Sequence, residues 1–277
     1  MPNFGYHLAR FEGSLSRRLY QLFLRQIVRN RVPVTRSIPL DVFSYSGNTA
    51  VPEQAASIRS FLRHAGRPKT FTVVSDGSHS PRNVRLLQQI DPSVRVQPSP
   101  PLPSPDLPEK FREYLKTHPT GKQLAIIMSL PVNGPSLYLD SDVLFFDAAA
   151  DLVDRIAEPN VSAFYLADCQ FSGDSRLLLD SAEKNRPVNT GVLLLFRKID
   201  WSLARERFQM LETAPIFFTN QTLVHLVLHA AGARPFDPAK YLLRLDDQFV
   251  HADRYAGPTL VLRHYVNPVR HKFWTSH

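Results

Sequence analysis

Two carboxylates lie where apolar residues dominate. The stretch "YLDSDVLFF", residues 138–146, sets Asp140 and Asp142 between Tyr138 and Leu139 on one side and Val143, Leu144, Phe145 and Phe146 on the other. Acids in such a run are costly to bury without a partner. Residues two apart on an extended chain point the same way, so both carboxylates would reach one side of a strand end. Hard divalent ions such as Mg²⁺ and Mn²⁺ take oxygen ligands, commonly one or two carboxylates with phosphates and water completing the shell. Two aspartates are too few for a structural metal site. They suit a metal that arrives with a diphosphate. Asp-x-Asp triplets are frequent in solvated turns, and the apolar flanks are what set this one apart.

The elements that must position this pair follow from periodicity. "LDVFSYS", "TFTVVSDG" and "VRVQP" read as strands, separated by two helices. In "PEQAASIRSFLRHAG" Pro52 opens a helix and Gly66 follows it, with Ala55, Ile58, Phe61, Leu62 and Ala65 as the apolar stripe. In "SPRNVRLLQQI" Ser80 caps, Pro81 follows, and Val84, Leu87 and Ile90 share a face. Alternation of this kind predicts an α/β fold with a sheet at least partly parallel and helices packed on it. "GKQLAIIMSL" reads as a short buried helix before the strand "SLYLD". Later strands are expected in "VSAFYLADC", "GVLLLFR" and "LVLRHYV", and helices in "SLARERFQML" and "NQTLVHLVLHAAG". "PSPPLPSPDLP", residues 98–108, carries six prolines and reads as a stiff surface excursion.

At 277 residues and 43% hydrophobic the chain can bury a sizeable core. A single cysteine, Cys169, excludes an internal disulfide framework and fits a reducing compartment. No apolar run is long enough to cross a membrane. The expectation is a soluble cytoplasmic protein, peripheral at most to the inner face of a membrane. Residues 1–39 stand apart as a basic helical extension, before a single domain over 40–277. Residues 1–40 hold Arg10, Arg17, Arg18, Arg25, Arg29, Arg31 and Arg36 against one acid, Glu12. "SLSRRLYQLFLRQIVRNR" reads as an amphipathic helix. A helix docked on the domain is favoured, contact with an anionic membrane comes next, and nucleic acid last, because no nucleic-acid-binding module is present.

"PSLYLDSDVLFF" resembles the Asp-x-Asp strand of glycosyltransferases of the GT-A fold, in particular family 8, the glycogenin-like and lipopolysaccharide galactosyltransferase-like members. "KQLAIIMSLPVNGPSLYLDSD" is similar to their helix, Leu-Pro and strand layout. "PVNTGVLLL" is similar to their "FNAGVLL", "NQTLVHLVL" to their "DQD" helix start, and "HYVNPVRHKFW" to their "H-x-x-G-x-x-K-P-W". The four stretches keep the family's order and cover about residues 40 to 274.

The resemblance implies a mixed, mostly parallel Rossmann-like sheet with helices on both faces, and metal-dependent transfer from a nucleotide-sugar, a UDP-sugar, to a glycan, lipid or protein acceptor. It implies Mn²⁺ (or Mg²⁺) held by Asp140, Asp142 and His264. Arg270 or Lys272 would assist the phosphates; the family's lysine position holds Arg270 here. Tyr45 would stack on the nucleobase and Ser46 would bond its edge. Lys122, in preference to Gln123, would contact the donor. Asn189 would bond the donor sugar, Asp168 would line its pocket, and Gln221 would lie beneath the anomeric carbon. The family's aspartate before that glutamine is Asn220 here, which weakens a double displacement through a carboxylate. Trp274 would pack over the site or anchor the C-terminal tail, and Asp246 with Asp247 is a reserve acidic pair. Two alternatives remain: a sugar-phosphate nucleotidyltransferase, whose glycine-rich basic loop "SYSGNTAVPEQ" lacks, and a catalytically weak nucleotide-sugar-binding protein of the same fold.

Overall fold

The computed structural model describes residues 3–276 apart from 103, 105 and 159. In chain order the elements are α1 (Phe4–Arg29), β1 (Asp41–Ser46), α2 (Val51–His64), β2 (Thr70–Ser75), α3 (Pro81–Gln88), β3 (Val94–Pro98), α4 (Glu109–Thr117) and α5 (Pro119–Met128). They continue as β4 (Ser136–Leu139), β5 (Val143–Phe145), α6 (Asp151–Ala157), β6 (Ala163–Ala167), β7 (Val188–Leu195) and α7 (Ser202–Gln209). The chain ends with α8 (Thr219–Ala230), β8 (Arg234–Pro235), β9 (Tyr241–Leu242), β10 (Leu262–His264) and α9 (Arg270–Phe273). The prolines at 103 and 105 of the expected surface excursion lie outside the described residues.

The chain divides into two compact units, the first made of residues 1–98, 139–158 and 237–277, the second of 99–138 and 159–236. The mixed, mostly parallel sheet runs β3-β2-β1 in the first and β4-β7-β6-β8 in the second.

In the first unit β1, β2 and β3 pair in parallel, with Val42 beside Phe71 and Phe71 beside Val94. Helix α2 carries the stripe read from the sequence, whereas α3 buries Leu86 with Leu87, leaves Val84 half-buried and ends before Ile90. Ala55, Ile58, Phe61 and Leu62 of α2 are fully buried, and Phe61 meets Phe71 and Phe145 edge-on at 5.7 and 5.0 Å. Helix α2 stops at Gly66, whose φ of +118° favours glycine; a Cβ there would also meet Arg36 Cγ at 2.6 Å. The Ser80 hydroxyl caps α3 by accepting from the Asn83 N–H. A smaller sheet runs β5-β10-β9, with β10 antiparallel to β5. The basic first helix runs 26 residues, starts ten residues earlier than its arginine-rich core suggested, and packs on α2, α3 and α9.

In the second unit β7 is buried along its whole length; it starts three residues before the expected "GVLLLFR" and ends two residues short of it. It pairs antiparallel with β6 across a bulge at Tyr165/Leu166. Helix α4, which carries no strong apolar period, buries Phe111, Tyr114 and Leu115. Gly121 lets α5 approach α4: a Cβ there would meet the Tyr114 carbonyl oxygen at 2.1 Å.

Candidate functional site

Strand β4 delivers Asp140 directly after Leu139, and the turn through Ser141 carries Asp142 into β5. The two acids therefore occupy a turn between strands, where a same-face alternation along one strand was expected. They converge because β10 lies against β5 with His264 opposite Val143, and the Tyr265 N–H donates to the Asp142 carbonyl at 2.9 Å. His264 Nε2 then lies 3.2 Å from Asp142 Oδ1 and 3.7 Å from Asp140 Oδ2. One ligand atom from each residue falls within 4.8 Å of the others.

Asp142 and His264 are buried and Asp140 is partly exposed. Burial would raise the Asp142 carboxyl, but the charges and hydrogen bonds of His264 and Arg270 outweigh it and bring it down to about 2. Burial would likewise lower His264, yet Asp142 and Asp140 hold its pKa above the usual imidazole range. The site thus stabilises positive charge next to two acids. Two carboxylates and an imidazole are a donor set suited to Mn²⁺ or Mg²⁺, and the ion-paired, buried acid supplies the electrostatic demand for a cation. By both tests the residues fit a divalent metal.

The structure separates the two cations expected on the phosphates. The Arg270 guanidinium is exposed and donates to Asp142 Oδ2. Lys272 is fully buried, its ammonium spent on the carbonyls of Val250 at 2.9 Å, His251 at 3.3 Å and Ala252 at 2.7 Å. It ties down the 250–252 loop and has no donor left for a ligand. Asp247, one of the reserve acids, is buried in a fork with Arg263, whose two terminal nitrogens donate at 2.9 and 2.7 Å. Asp253 accepts from the same guanidinium and from Tyr265 and Ser276. Asp246, its neighbour, is exposed and accepts from the Tyr255 hydroxyl. This pair is structural. Trp274 anchors: its ring lies 5.0 Å from Tyr20 of α1 and its N–H donates to Glu53 at 3.3 Å.

Tyr45 and Ser46 end β1 as expected. Burial, then Asp76, raises the Tyr45 phenol. The Ser46 hydroxyl is buried with no hydrogen-bond partner among the described residues, an orphan of the kind a bound ligand satisfies.

In the second unit the structure brings Asp168, Asn189 and Gln221 together. Gln221 Nε2 donates to Asp168 Oδ2 at 3.1 Å and to the Ser172 carbonyl at 2.7 Å. Asn189 Nδ2 lies 3.4 Å from both Asp168 Oδ2 and Gln221 Oε1, and Asn189 Oδ1 accepts from the Gly191 N–H at 2.9 Å. Asn189 and Gln221 are buried and Asp168 is half-buried. Lys122 is exposed on α5, whereas the alternative Gln123 bridges Asn220 at 2.9 Å and the Tyr138 hydroxyl at 3.1 Å. Asp174, which no motif signalled, is buried beneath α8, holds Arg176 in a fork and accepts from Thr219 at 2.7 Å. Its partners are visible only in the fold. Thr219 is the first residue of α8.

No protein-family model matches this chain, and no curated protein does. Solved structures do. The galactosyltransferase LgtC, in complex with donor and acceptor sugar analogs, is similar over 82% of this chain and 87% of its own, with a TM-score of 0.57 and 17% identity. The fold is that of a GT-A glycosyltransferase. Mouse xyloside xylosyltransferase 1 matches 84% of this chain and 99% of its own, with a TM-score of 0.56 and 14% identity. The glycosyltransferase GlyE of Streptococcus pneumoniae matches 87% of this chain and 60% of its own, at 0.51 and 14%. In this GT-A chain, among the described residues, Asp140, Asp142 and His264 are the group able to hold a metal ion, and no helix is long and apolar enough to cross a membrane.

Proposed function

We propose that the chain is a metal-dependent glycosyltransferase that moves a sugar from a UDP-sugar to an acceptor hydroxyl, with retention of anomeric configuration. The observation that carries this reading is the convergence of Asp140, Asp142 and His264 on one point, on a fold shared with sugar transferases. Those three residues would hold Mn²⁺ or Mg²⁺, which when bound supplies Lewis-acid stabilisation of the diphosphate.

Every other role belongs to the chain itself. The bond between the anomeric carbon and the phosphate oxygen breaks, and its electron pair leaves with UDP. Arg270, exposed and cationic beside Asp142, would exchange that carboxylate for a phosphate oxygen and stabilise the growing charge. Tyr45 would stack on the uracil, and the unpartnered Ser46 hydroxyl would bond its edge. Asn189 and Asp168 would orient the sugar hydroxyls. Gln221 Oε1 would lie against the electron-poor anomeric carbon, with the amide orientation fixed by its donations to Asp168 and Ser172. The acceptor oxygen then bonds to that carbon, and its proton passes to the departing diphosphate. A neutral amide suits stabilisation of an oxocarbenium-like state better than covalent capture, and Asn220 offers no carboxylate in its place. Lys122 would add a cation near the donor.

Isothermal titration of UDP and a panel of UDP-sugars, with and without Mn²⁺, tests the reading. Binding that requires the ion and selects one sugar is expected. Binding indifferent to Mn²⁺, or no nucleotide binding, would overturn it. Proton NMR of the first-formed product decides the stereochemistry.

A further inference from the structure

Helix α1 has two apolar faces. At about 100° per residue, Ala9, Gly13, Tyr20 and Leu24 share one side, and all four are buried. That side is fitted to the first unit. A Cβ on Gly13 would meet the His271 carbonyl oxygen at 2.3 Å, so only glycine permits the approach. Arg17, on the flank of this face, forks onto Glu53 at 2.5 and 3.1 Å.

On the same count Phe4, Leu8, Phe11, Leu15 and Leu22 lie about 160° away from it. These are exposed: Phe4 by 80%, Leu22 by 71% and Phe11 by 67%. A helix needs one apolar face to dock. The second costs solubility and is left in water among the described residues. Exposed Arg18, Arg25 and Arg29 border it, and the helix's one acid, Glu12, is engaged by His251 at 2.8 Å. The helix is about 39 Å long, enough to span a bilayer, yet its arginines forbid that.

We propose that α1 lies flat on an anionic phospholipid surface, its outward stripe in the headgroup–acyl boundary and Arg18, Arg25 and Arg29 on the lipid phosphates. Aromatic and leucine residues on one side with arginines beside them are the pattern of interfacial helices. The charge decides against a second copy as the occupant: an identical helix brings the same arginines and no free acid. The inward face meanwhile holds the helix on the protein, so adsorption would immobilise the whole first unit at the surface. This inference stands independently of the sugar-transfer reading.

Co-sedimentation of the full chain with phosphatidylcholine–phosphatidylglycerol vesicles, against phosphatidylcholine alone, tests it. The protein should bind the anionic vesicles and release with salt. The variant Arg18→Glu/Arg25→Glu/Arg29→Glu should bind on the order of a hundredfold more weakly, about fivefold or more per site. The variant Leu8→Ser/Leu15→Ser/Leu22→Ser should lose binding while keeping its far-ultraviolet circular dichroism, because those side chains touch solvent. Equal binding by wild type and variants, or none by wild type, overturns the proposal. Self-association that the serine variant abolishes, without vesicle binding, would assign the stripe to a second copy. Salt-sensitive retention of duplex DNA, again without vesicle binding, would assign the arginines to nucleic acid.

Discussion

Asp142→Asn keeps the size of the side chain and removes its charge. In the metal-free protein that charge is stabilising, because the carboxyl has moved from 3.8 to about 2 under the joint influence of burial, which opposes ionisation, and His264 and Arg270, which favour it more strongly. At about 1.4 kcal/mol per unit, the ionised form is favoured by about 2 kcal/mol relative to a neutral one. An asparagine resembles the neutral form. The variant should therefore lose about 2 kcal/mol, a fall in melting temperature of roughly 4–8 °C for a chain of this size. The same carboxylate should stabilise wild type above its ordinary pKa and release that stability as pH falls towards about 2. Adding Mn²⁺ should separate the proteins further. Wild type gains on the order of 3 kcal/mol at a hundredfold excess over its dissociation constant, while the asparagine variant, with its ligand charge gone, gains far less. Differential scanning fluorimetry in EDTA and in Mn²⁺ reads both effects. An unchanged or raised melting temperature in EDTA would refute the electrostatic account. An equal rise with Mn²⁺ in both proteins would place the metal elsewhere.

Three further outcomes follow from named contacts. Arg263→Met leaves the buried Asp247 and Asp253 carboxylates without their guanidinium and should cost about 3–5 kcal/mol by chemical denaturation. Asp253 now lies below its ordinary value, since Arg263 and the hydroxyl and backbone donors outweigh burial; in wild type its contribution holds above about pH 4 and drains as pH falls. In the variant burial prevails and the sign reverses, so stability should fall as pH rises from 4 to 7. Ser46→Ala removes a hydroxyl that bonds nothing in the described residues, so stability should change by less than about 0.5 kcal/mol, while UDP affinity measured calorimetrically falls about fivefold. Gln221→Ala should lower kcat on the order of a hundredfold and leave Mn²⁺-dependent UDP binding intact; weakened nucleotide binding with normal turnover would contradict its placement at the sugar.

The sequence by itself determined the alternation of strands and helices, the stripe of α2, the cap of α3 and a strand at "GVLLLFR". Each of these is written in a local period or a turn residue. It also flagged Asp140 and Asp142, because two acids in an apolar run need a partner wherever they are folded. What it could not determine were the elements with no period to display: β5, β8 and β9 are only two or three residues long, and α4 is mostly polar. Nor could it choose between residues that look alike in one dimension. Arg270 and Lys272 are two apart in one basic tail, yet one reaches Asp142 and the other is sealed under three carbonyls. Asp246 and Asp247 are adjacent, and only the second meets Arg263. The arginine-rich helix could be read as docked or as membrane-facing; the fold shows the docked face and leaves a second one exposed. These choices rest on contacts between residues far apart in the chain. Burial and pairing of a charge are set by what the rest of the chain brings to it, and only the tertiary structure fixes that.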